Sequence, residues 1–142
     1  YLAFLDIDCL KQINDLYGYS TGDIVLRQCG QLLRQTFQQQ AVVARWVGEE
    51  FVVTLYGATK AEGIERLSRV SQTIRQQWFT SSDRTHRFRV TVSAGIAQYP
   101  DDGTDLDSLC RAAIAALHQS KLAGCDCIFS AGGTPSSILA SS

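Results

Sequence analysis

The spacing of apolar residues changes along the chain, and each change marks a new element of secondary structure. Residues 1–8 are mostly apolar and end in Asp-Ile-Asp. Alternation with a period of two predicts a strand here and places Leu2, Phe4, Asp6 and Asp8 on one face. The first strand is therefore expected to carry two carboxylates at its end, beside apolar neighbours.

Helical spacing predicts a helix in several segments. Their expected bounds are 10–17, about 23 to 37, 58–78 and 106–122. Gly18 is expected to end the first of these helices, because glycine tolerates the left-handed backbone of a helix C-terminus. Thr21 is expected to cap the second helix, which would begin near Asp23, through its side-chain oxygen.

Runs rich in β-branched and aromatic residues predict the remaining strands. Their expected bounds are 42–44, 51–55, 88–97 and 125–130, and the first two of these runs form a hairpin. The resulting order is strand, two helices, hairpin, helix, strand, helix, strand. This order predicts an α/β fold of the ferredoxin-like type, with a mixed central sheet flanked by helices.

Length and composition indicate one domain. The chain has 142 residues, 45% of them hydrophobic, which suffices for one sizeable core, expected over residues 1–130. Residues 131–142 form a Gly/Ser-rich tail that is expected to be disordered. A net charge of -1 with scattered Lys and Arg argues against a nucleic-acid partner. No apolar run approaches the roughly 20 residues of a membrane span, so no membrane contact is expected.

Five cysteines, an odd number, favour free thiols in a reducing compartment. Cys125 and Cys127 are separated by one residue, not by the two of redox and zinc motifs. A cytoplasmic location is therefore expected. The sequence contains no methionine and begins inside a predicted strand, so we also expect it to be a piece of a longer protein.

Acidic residues stand at the ends of two predicted strands. Asp6 and Asp8 end the first strand, and Glu49 and Glu50 lie at the tip of the hairpin. Carboxylates beside apolar strands are costly unless a cation is near, which suggests a hard-metal site, most simply Mg²⁺ with a phosphate substrate. The alternative is that these acids are ordinary solvated turn residues.

Several separate motifs carry a resemblance to a known family. Residues 6–23 read D-I-D-C-L-K-Q-I-N-D-L-Y-G-Y-S-T-G-D and resemble D-x-D-x-F-K-x-I-N-D-x-x-G-H-x-x-G-D of the GGDEF family of diguanylate cyclases. Residues 47–51, V-G-E-E-F, stand at the family's signature hairpin. Residues 92–97 resemble its S-x-G-(I/V)-A strand and residues 117–124 its A-L-Y-x-A-K-x-x-G helix end. The resemblance covers residues 1–130 and implies the nucleotide-cyclase or palm variety of the ferredoxin-like fold.

The resemblance implies a metal-dependent nucleotidyl transfer. Two GTP molecules would be condensed into cyclic di-GMP with release of pyrophosphate by a homodimer, under an upstream sensory or regulatory domain. By resemblance, Asp6 and Glu49 bind Mg²⁺ or Mn²⁺, with the backbone carbonyl of Ile7 beside them. Glu50 is a second carboxylate, for metal or for proton removal, and Gly48 lets the bare backbone approach the phosphates.

The same resemblance assigns the substrate contacts. Asn14 and Asp23 would read guanine, since a carboxylate accepts hydrogen bonds from the N1 and N2 hydrogens of the base and an amide both donates and accepts. Lys11 and Lys121 would contact the triphosphate.

The sequence also departs from the family pattern. Val47 replaces a glycine of the hairpin and is expected to reduce activity, and Cys125 replaces an arginine near the phosphates. Gln38 and Ala41 stand where the family has the R-x-x-D feedback site, so inhibition by product through that site is not expected. These departures leave two alternatives open: a GGDEF-like regulatory module that binds GTP or nothing, and a scaffold whose acids are only surface.

Overall fold

The computed structural model describes residues 1–37, 41–45, 50–55, 57, 59–132 and 135–136. Within these residues the helices are α1 (Leu10–Tyr17), α2 (Tyr19–Thr36), α3 (Lys60–Gln76) and α4 (Leu106–Leu122). The strands are β1 (Leu2–Ile7), β2 (Ala41–Arg45), β3 (Glu50–Leu55), β4 (Phe79–Thr80), β5 (Arg87–Phe88), β6 (Val92–Ala97), β7 (Ile128–Ser130) and β8 (Pro135–Ser136).

The central sheet is mixed, as the sequence predicts. Its strand order is β2-β3-β1-β6-β7-β8. The β6–β7 pair is parallel, and the other neighbouring pairs are antiparallel. β4 and β5 form a separate two-stranded ribbon. The ferredoxin-like α/β arrangement with helices on a mixed sheet is therefore confirmed, and β1 lies at its centre.

Strand β1 divides the core between the two faces of the sheet. Ala3, Leu5 and Ile7 belong to a large apolar cluster that contains buried apolar side chains of α2 and α3. Leu2 and Phe4 belong to a second cluster, together with residues of α4. The predicted alternation is confirmed. Because side chains alternate along a strand, Asp6 is directed to the α4 side of the sheet.

Helix α4 lies unusually close to strand β6. A Cβ atom built on Gly95 would overlap the carbonyl oxygen of Ala113 and the backbone nitrogen of Leu117. Only a residue without a side chain allows this approach. The glycine of the S-x-G motif thus fixes the distance between α4 and the sheet, and with it the position of residues near the C-terminus of α4.

The connection between α1 and α2 differs from the prediction. Gly18 ends α1 with a φ of 91°, as expected, but α2 begins at Tyr19, not near Asp23. Thr21 is therefore inside α2 and is not its cap. Its buried hydroxyl donates to the carbonyl of Tyr17 at 3.0 Å and accepts from the backbone N–H of Ser82 at 2.9 Å. The Thr21 hydroxyl therefore binds Ser82, far along the chain, and does not cap α2.

Three other expected bounds are also wrong. Helix α3 spans Lys60–Gln76, with Thr59 as an N-cap that accepts from Glu62 N at 3.2 Å, so the predicted helix of residues 58–78 was too long. The strand predicted over 88–97 is split between β5 and β6. The strand predicted over 125–130 begins only at 128, because a turn precedes it.

The last described residues add a short strand to the sheet. Pro135–Ser136 pair with β7, so these two residues of the predicted tail extend the sheet. Residues 133, 134 and 137–142 lie outside the described residues, and the disorder expected for the tail stays a prediction. The five cysteines are all free thiols, as the sequence predicts. Among the described residues, no helix combines the length and the apolar character that crossing a membrane requires.

Candidate active site

Two acidic side chains face each other where β1 and β3 pair. The strand register sets Asp6 directly opposite Glu50, and directly opposed residues of an antiparallel pair share a face. Asp6 is 9% exposed. Burial raises the pKa of Glu50 above its usual value, and the negative charge of Asp6 raises it further, against a smaller opposing effect of Lys121. The pair is a compact source of negative charge beside the apolar core.

Asp8, two residues beyond Asp6, is held by four donors. Its Oδ1 accepts from Ser93 Oγ at 2.7 Å and from Lys121 Nζ at 3.1 Å. Its Oδ2 accepts from Thr91 Oγ1 at 2.7 Å and from the backbone nitrogen of Asp126 at 3.0 Å. Burial alone would raise the pKa of Asp8, but the hydrogen bonds from Thr91 and Ser93 and the charge and hydrogen bond of Lys121 lower it below its usual value.

The ammonium group of Lys121 joins the two aspartates. Its Nζ lies 3.1 Å from Asp6 Oδ2 and 3.1 Å from Asp8 Oδ1. Burial alone would lower the pKa of Lys121, but the two carboxylates raise it above its usual value, so the ammonium stays charged. The close packing of α4 at Gly95 brings this lysine to the end of β1.

A tight turn ends α4 directly after this lysine. Gly124, with a φ of 112°, donates to the carbonyl of Lys121 at 3.2 Å, and Cys125 N donates to that of Ser120 at 3.0 Å. This is the Schellman pattern of helix C-termini. Cys125 and Asp126 follow with φ values of 67° and 53°, in the left-handed region that non-glycine residues rarely occupy.

Contacts with the sheet and with α3 hold the residues after that turn. Besides the bond to Asp8, the backbone nitrogen of Asp126 donates to Ser93 Oγ at 3.1 Å. The Asp126 carboxylate accepts from Arg75 of α3 at 2.8 Å.

Burial raises the pKa of the Cys125 thiol, and the charge of Asp8 raises it further. The thiol at this position is therefore protonated and neutral at pH 7.

The predicted guanine-reading residues lie at the α1–α2 connection. A Cβ atom on Gly22 would overlap Asn14 Oδ1, so the Asn14 side chain lies directly against the backbone of Gly22. Asp23 is the next residue along α2 and is exposed. Asn14 lies on the second turn of α1, which begins at Leu10. The structure thus places Asn14 and Asp23 on the two helices that meet at Gly18.

Three of the side chains expected from the sequence lie together in the structure. Asp6, Glu50 and Lys121 come together, and the backbone of Ile7 lies between Asp6 and Asp8. Lys11 is exposed on the first turn of α1. Val47, Gly48 and Glu49, and Gln38 of the expected feedback position, lie outside the described residues.

Sequence reasoning missed the residues that hold this cluster together. Thr91 and Ser93 received no role, although Ser93 lies in the S-x-G motif that was recognised. Both hydroxyls donate to Asp8, more than 80 residues earlier in the chain. Gly95 of the same motif is a sequence sign of close helix packing. No neighbouring residue in the sequence, however, indicates that the Ser93 hydroxyl donates to Asp8.

The donor set fits a hard divalent cation, although Lys121 stands beside it. Among the described residues, no three His, Cys, Asp or Glu side chains converge in a metal-binding arrangement. Asp6 and Glu50 nevertheless offer carboxylate oxygens at one point, which suit Mg²⁺ or Mn²⁺ better than softer metals. Glu49, expected as a further ligand, is adjacent in sequence.

A cavity of about 600 Å³ lies at the opposite end of β1. Its lining is mainly apolar and includes Tyr1, Leu2, Leu55, Leu106 and Leu109. The cavity is therefore remote from the acidic cluster, and Asp105 in its lining caps α4 by accepting from Ser108 N at 2.7 Å. The cluster at the end of β1 is thus the better candidate for an active site.

Comparisons with known proteins identify the family of this chain. The model of the family described as "Diguanylate cyclase, GGDEF domain" matches residues 1–127. The diguanylate cyclase DgcZ of Escherichia coli is 32% identical over 125 residues, 87% of this chain and 41% of that protein. The cyclic di-GMP phosphodiesterase NbdA of Pseudomonas aeruginosa is 36% identical over 123 residues, 87% of this chain and 15% of that protein. The chain thus spans less than half the length of these relatives.

Solved structures agree with the sequence comparisons. The GGDEF domain of DgcB from Caulobacter crescentus, in complex with c-di-GMP, superposes with a TM-score of 0.86 at 28% identity, covering 93% of this chain and 77% of that one. The family model spans nearly the whole chain. The chain therefore belongs to the GGDEF domain family of diguanylate cyclases.

Proposed function

We propose that this chain condenses two GTP molecules into cyclic di-GMP and releases pyrophosphate. One observation carries the proposal: the buried Asp6 carboxylate faces Glu50 across the sheet while the Lys121 ammonium lies 3.1 Å from it. Two carboxylates that can bind a cation or accept a proton thus lie beside an ammonium group that can bind phosphates and stays charged at neutral pH. Membership of the family supports the same reaction.

The proposed metal site consists of Asp6, Glu49 and the backbone carbonyl of Ile7. A divalent ion bound there, Mg²⁺ or Mn²⁺, would neutralise phosphate charge and lower the pKa of the attacking hydroxyl. Glu50 is the proposed proton acceptor, because a carboxylate with a raised pKa is a better base near neutral pH. In each transfer a 3′-oxygen forms a bond to the α-phosphorus of the facing nucleotide, and the bond to pyrophosphate breaks.

The remaining roles concern binding of the substrate. Lys121 and Lys11 are proposed to contact the triphosphate, and Gly48 to let the hairpin backbone approach it. Asn14 and Asp23 are proposed to read guanine. Val47 is proposed to slow the reaction without preventing it, because a β-branched residue adds bulk where family members have glycine.

The guanine assignment leads to a prediction about Gly22. We expect GTP to bind at least about tenfold more tightly than ATP, since adenine has no N1 hydrogen for Asp23 to accept. Gly22→Ala should weaken GTP binding about tenfold, because its methyl group takes the place of the Asn14 amide. Isothermal titration calorimetry with both nucleotides measures this.

The control for that prediction is a double variant. Stability should change little in Gly22→Ala, because the displaced atom is the end of a flexible side chain and alanine favours a helix. Asn14→Ala should weaken GTP binding similarly, and combining the two should add nothing. Additive losses, or equal affinity for GTP and ATP, would contradict the assignment.

We propose further that catalysis requires a homodimer, since each chain would hold one GTP and the two must face each other. The expected result is a specific activity that rises with protein concentration and approaches a plateau once dimers predominate. Rates measured from nanomolar to micromolar protein, beside sedimentation of the same samples, test it. A specific activity independent of concentration would exclude a site shared between two chains.

The test of the function itself is identification of the product. The purified chain is incubated with GTP and Mg²⁺ or Mn²⁺, and the nucleotides are separated by chromatography. Cyclic di-GMP and two equivalents of pyrophosphate are expected, with neither formed from ATP or in the presence of a chelator. Binding of GTP without any product would instead support the second candidate described next.

The second candidate is a GGDEF-like module that binds GTP and signals without turnover. Cys125 favours it, because the raised pKa of its thiol leaves a neutral group where family members carry an arginine. Lys121 would then supply the phosphate-binding charge without that arginine. In either case we propose a cytoplasmic domain governed by a sensory or regulatory domain of a longer protein, as the small share of each relative that the chain spans suggests.

A further inference from the structure

Asp8 has no capacity left for a metal ion. A carboxylate offers about four lone-pair positions, and four donors occupy those of Asp8 at 2.7 to 3.1 Å. Three of these donors belong to the protein framework: two hydroxyls and a backbone N–H. The fourth donor is the Lys121 ammonium, which can move because it lies at the end of a long, flexible side chain.

Asp6 has a different relation to the same lysine. Its Oδ2 lies 3.1 Å from Lys121 Nζ, at the same distance as Asp8 Oδ1. A buried carboxylate requires a cation nearby, and here the protein supplies its own. Any divalent ion that approaches Asp6 must therefore compete with the ammonium group for that carboxylate.

We propose that Lys121 is a resident counter-ion that blocks Asp6 in the nucleotide-free domain, and that Asp8 is the anchor that keeps Lys121 at the site when it leaves Asp6. This inference rests on the proposed function in assigning a divalent cation to Asp6. The phosphates of an incoming nucleotide attract the ammonium, and its release from Asp6 frees the carboxylate for the cation that accompanies the nucleotide. Cation and nucleotide consequently bind cooperatively, and a free cation binds weakly.

The first test measures binding of Mn²⁺ alone, without nucleotide. The unbound ion is followed by electron paramagnetic resonance, and thermal unfolding is recorded with and without MnCl₂. Lys121→Met removes the charge and keeps the apolar stem, so it should bind Mn²⁺ at least about tenfold more tightly than the wild type. Its unfolding midpoint should rise by roughly 3 °C or more on addition of Mn²⁺, while that of the wild type moves little.

Two control variants separate this effect from a general change of charge. Lys60→Met removes another partly buried lysine, which pairs with Asp102 at 2.7 Å, and should leave Mn²⁺ affinity unchanged. Lys121→Arg keeps the positive charge and should show no gain. If Lys121→Met is unfolded without metal, Mn²⁺ should restore its folded circular dichroism spectrum. Unchanged Mn²⁺ affinity in a folded Lys121→Met, an equal gain in Lys60→Met, or no recovery of an unfolded variant would overturn the proposal.

The second test addresses the anchor. Asp8→Asn and Lys121→Met should each weaken binding of α,β-methylene GTP about tenfold, and the double variant should lose no more than either, because Asp8 acts through Lys121. Full affinity in Asp8→Asn beside a loss in Lys121→Met would refute the anchor. Absence of cyclic di-GMP synthesis would sink the proposed function alone, because the Mn²⁺ experiment needs neither nucleotide nor turnover.

Discussion

Asp6→Asn should lower the rate of cyclic di-GMP formation by at least about 100-fold while the fold stays intact. Asparagine has nearly the shape of aspartate but carries no charge, so it is a poor ligand for a divalent cation. Catalysis that depends on the placement of phosphates loses on the order of 100-fold when that placement shifts by about 1 Å. Initial rates with saturating GTP and Mg²⁺, measured by chromatography, give the result.

The control is the same substitution at an exposed aspartate. Asp107 lies on the first turn of α4, with a side chain that is 79% exposed and pairs with Arg111 at 3.0 Å. Asp107→Asn should keep wild-type turnover, because exposed pairs one helical turn apart contribute little. Both variants should keep wild-type circular dichroism. Turnover in Asp6→Asn equal to that in Asp107→Asn would remove Asp6 from the metal site.

Local features of the sequence were enough to predict the elements that surround the site. The bounds of α1 and α4 match the prediction, because the apolar spacing of both helices is regular and Gly18 marks the end of the first. β1 was found from its alternation. The start of α2 was not, because Thr21 uses its hydroxyl within the helix and for a contact with Ser82, 61 residues away. A capping rule cannot anticipate such a competing partner.

For the candidate site, too, the sequence predicted some residues but not the long-range contacts that hold them. The resemblance singled out Asp6, Glu50 and Lys121, and the structure brings them together. The role of Asp8 depends on Thr91 and Ser93, which reach it only after β6 has paired with β1. The contact between Glu50 and Asp6 likewise depends on the register of β3, which hydrophobic patterning constrains only once the whole sheet has formed. Long-range pairing is therefore the part that sequence patterns leave open.

Gly95→Val should disrupt both stability and activity, because it separates α4 from the sheet. The new side chain would collide with backbone atoms of Ala113 and Leu117, which cannot rotate away as a side chain can. Overpacking of a core costs typically 1–3 kcal/mol, and we expect the free energy of unfolding to fall by about 3 kcal/mol. Lys121 lies one helical turn beyond Leu117, so it should move with the helix and the rate should fall about 100-fold.

Urea unfolding and product formation, measured on the same samples, test this prediction. Gly95→Ala should lie between wild type and Gly95→Val in both properties. Ala115→Val adds bulk to the exposed face of the same helix and should cost well under 1 kcal/mol through helix propensity alone. Combining Gly95→Val with Ala113→Gly should not restore stability, because the collision is with a carbonyl oxygen and not with a side chain. Rescue by Ala113→Gly, or a Gly95→Val variant as stable and active as wild type, would mean that α4 does not depend on this glycine for its approach to the sheet.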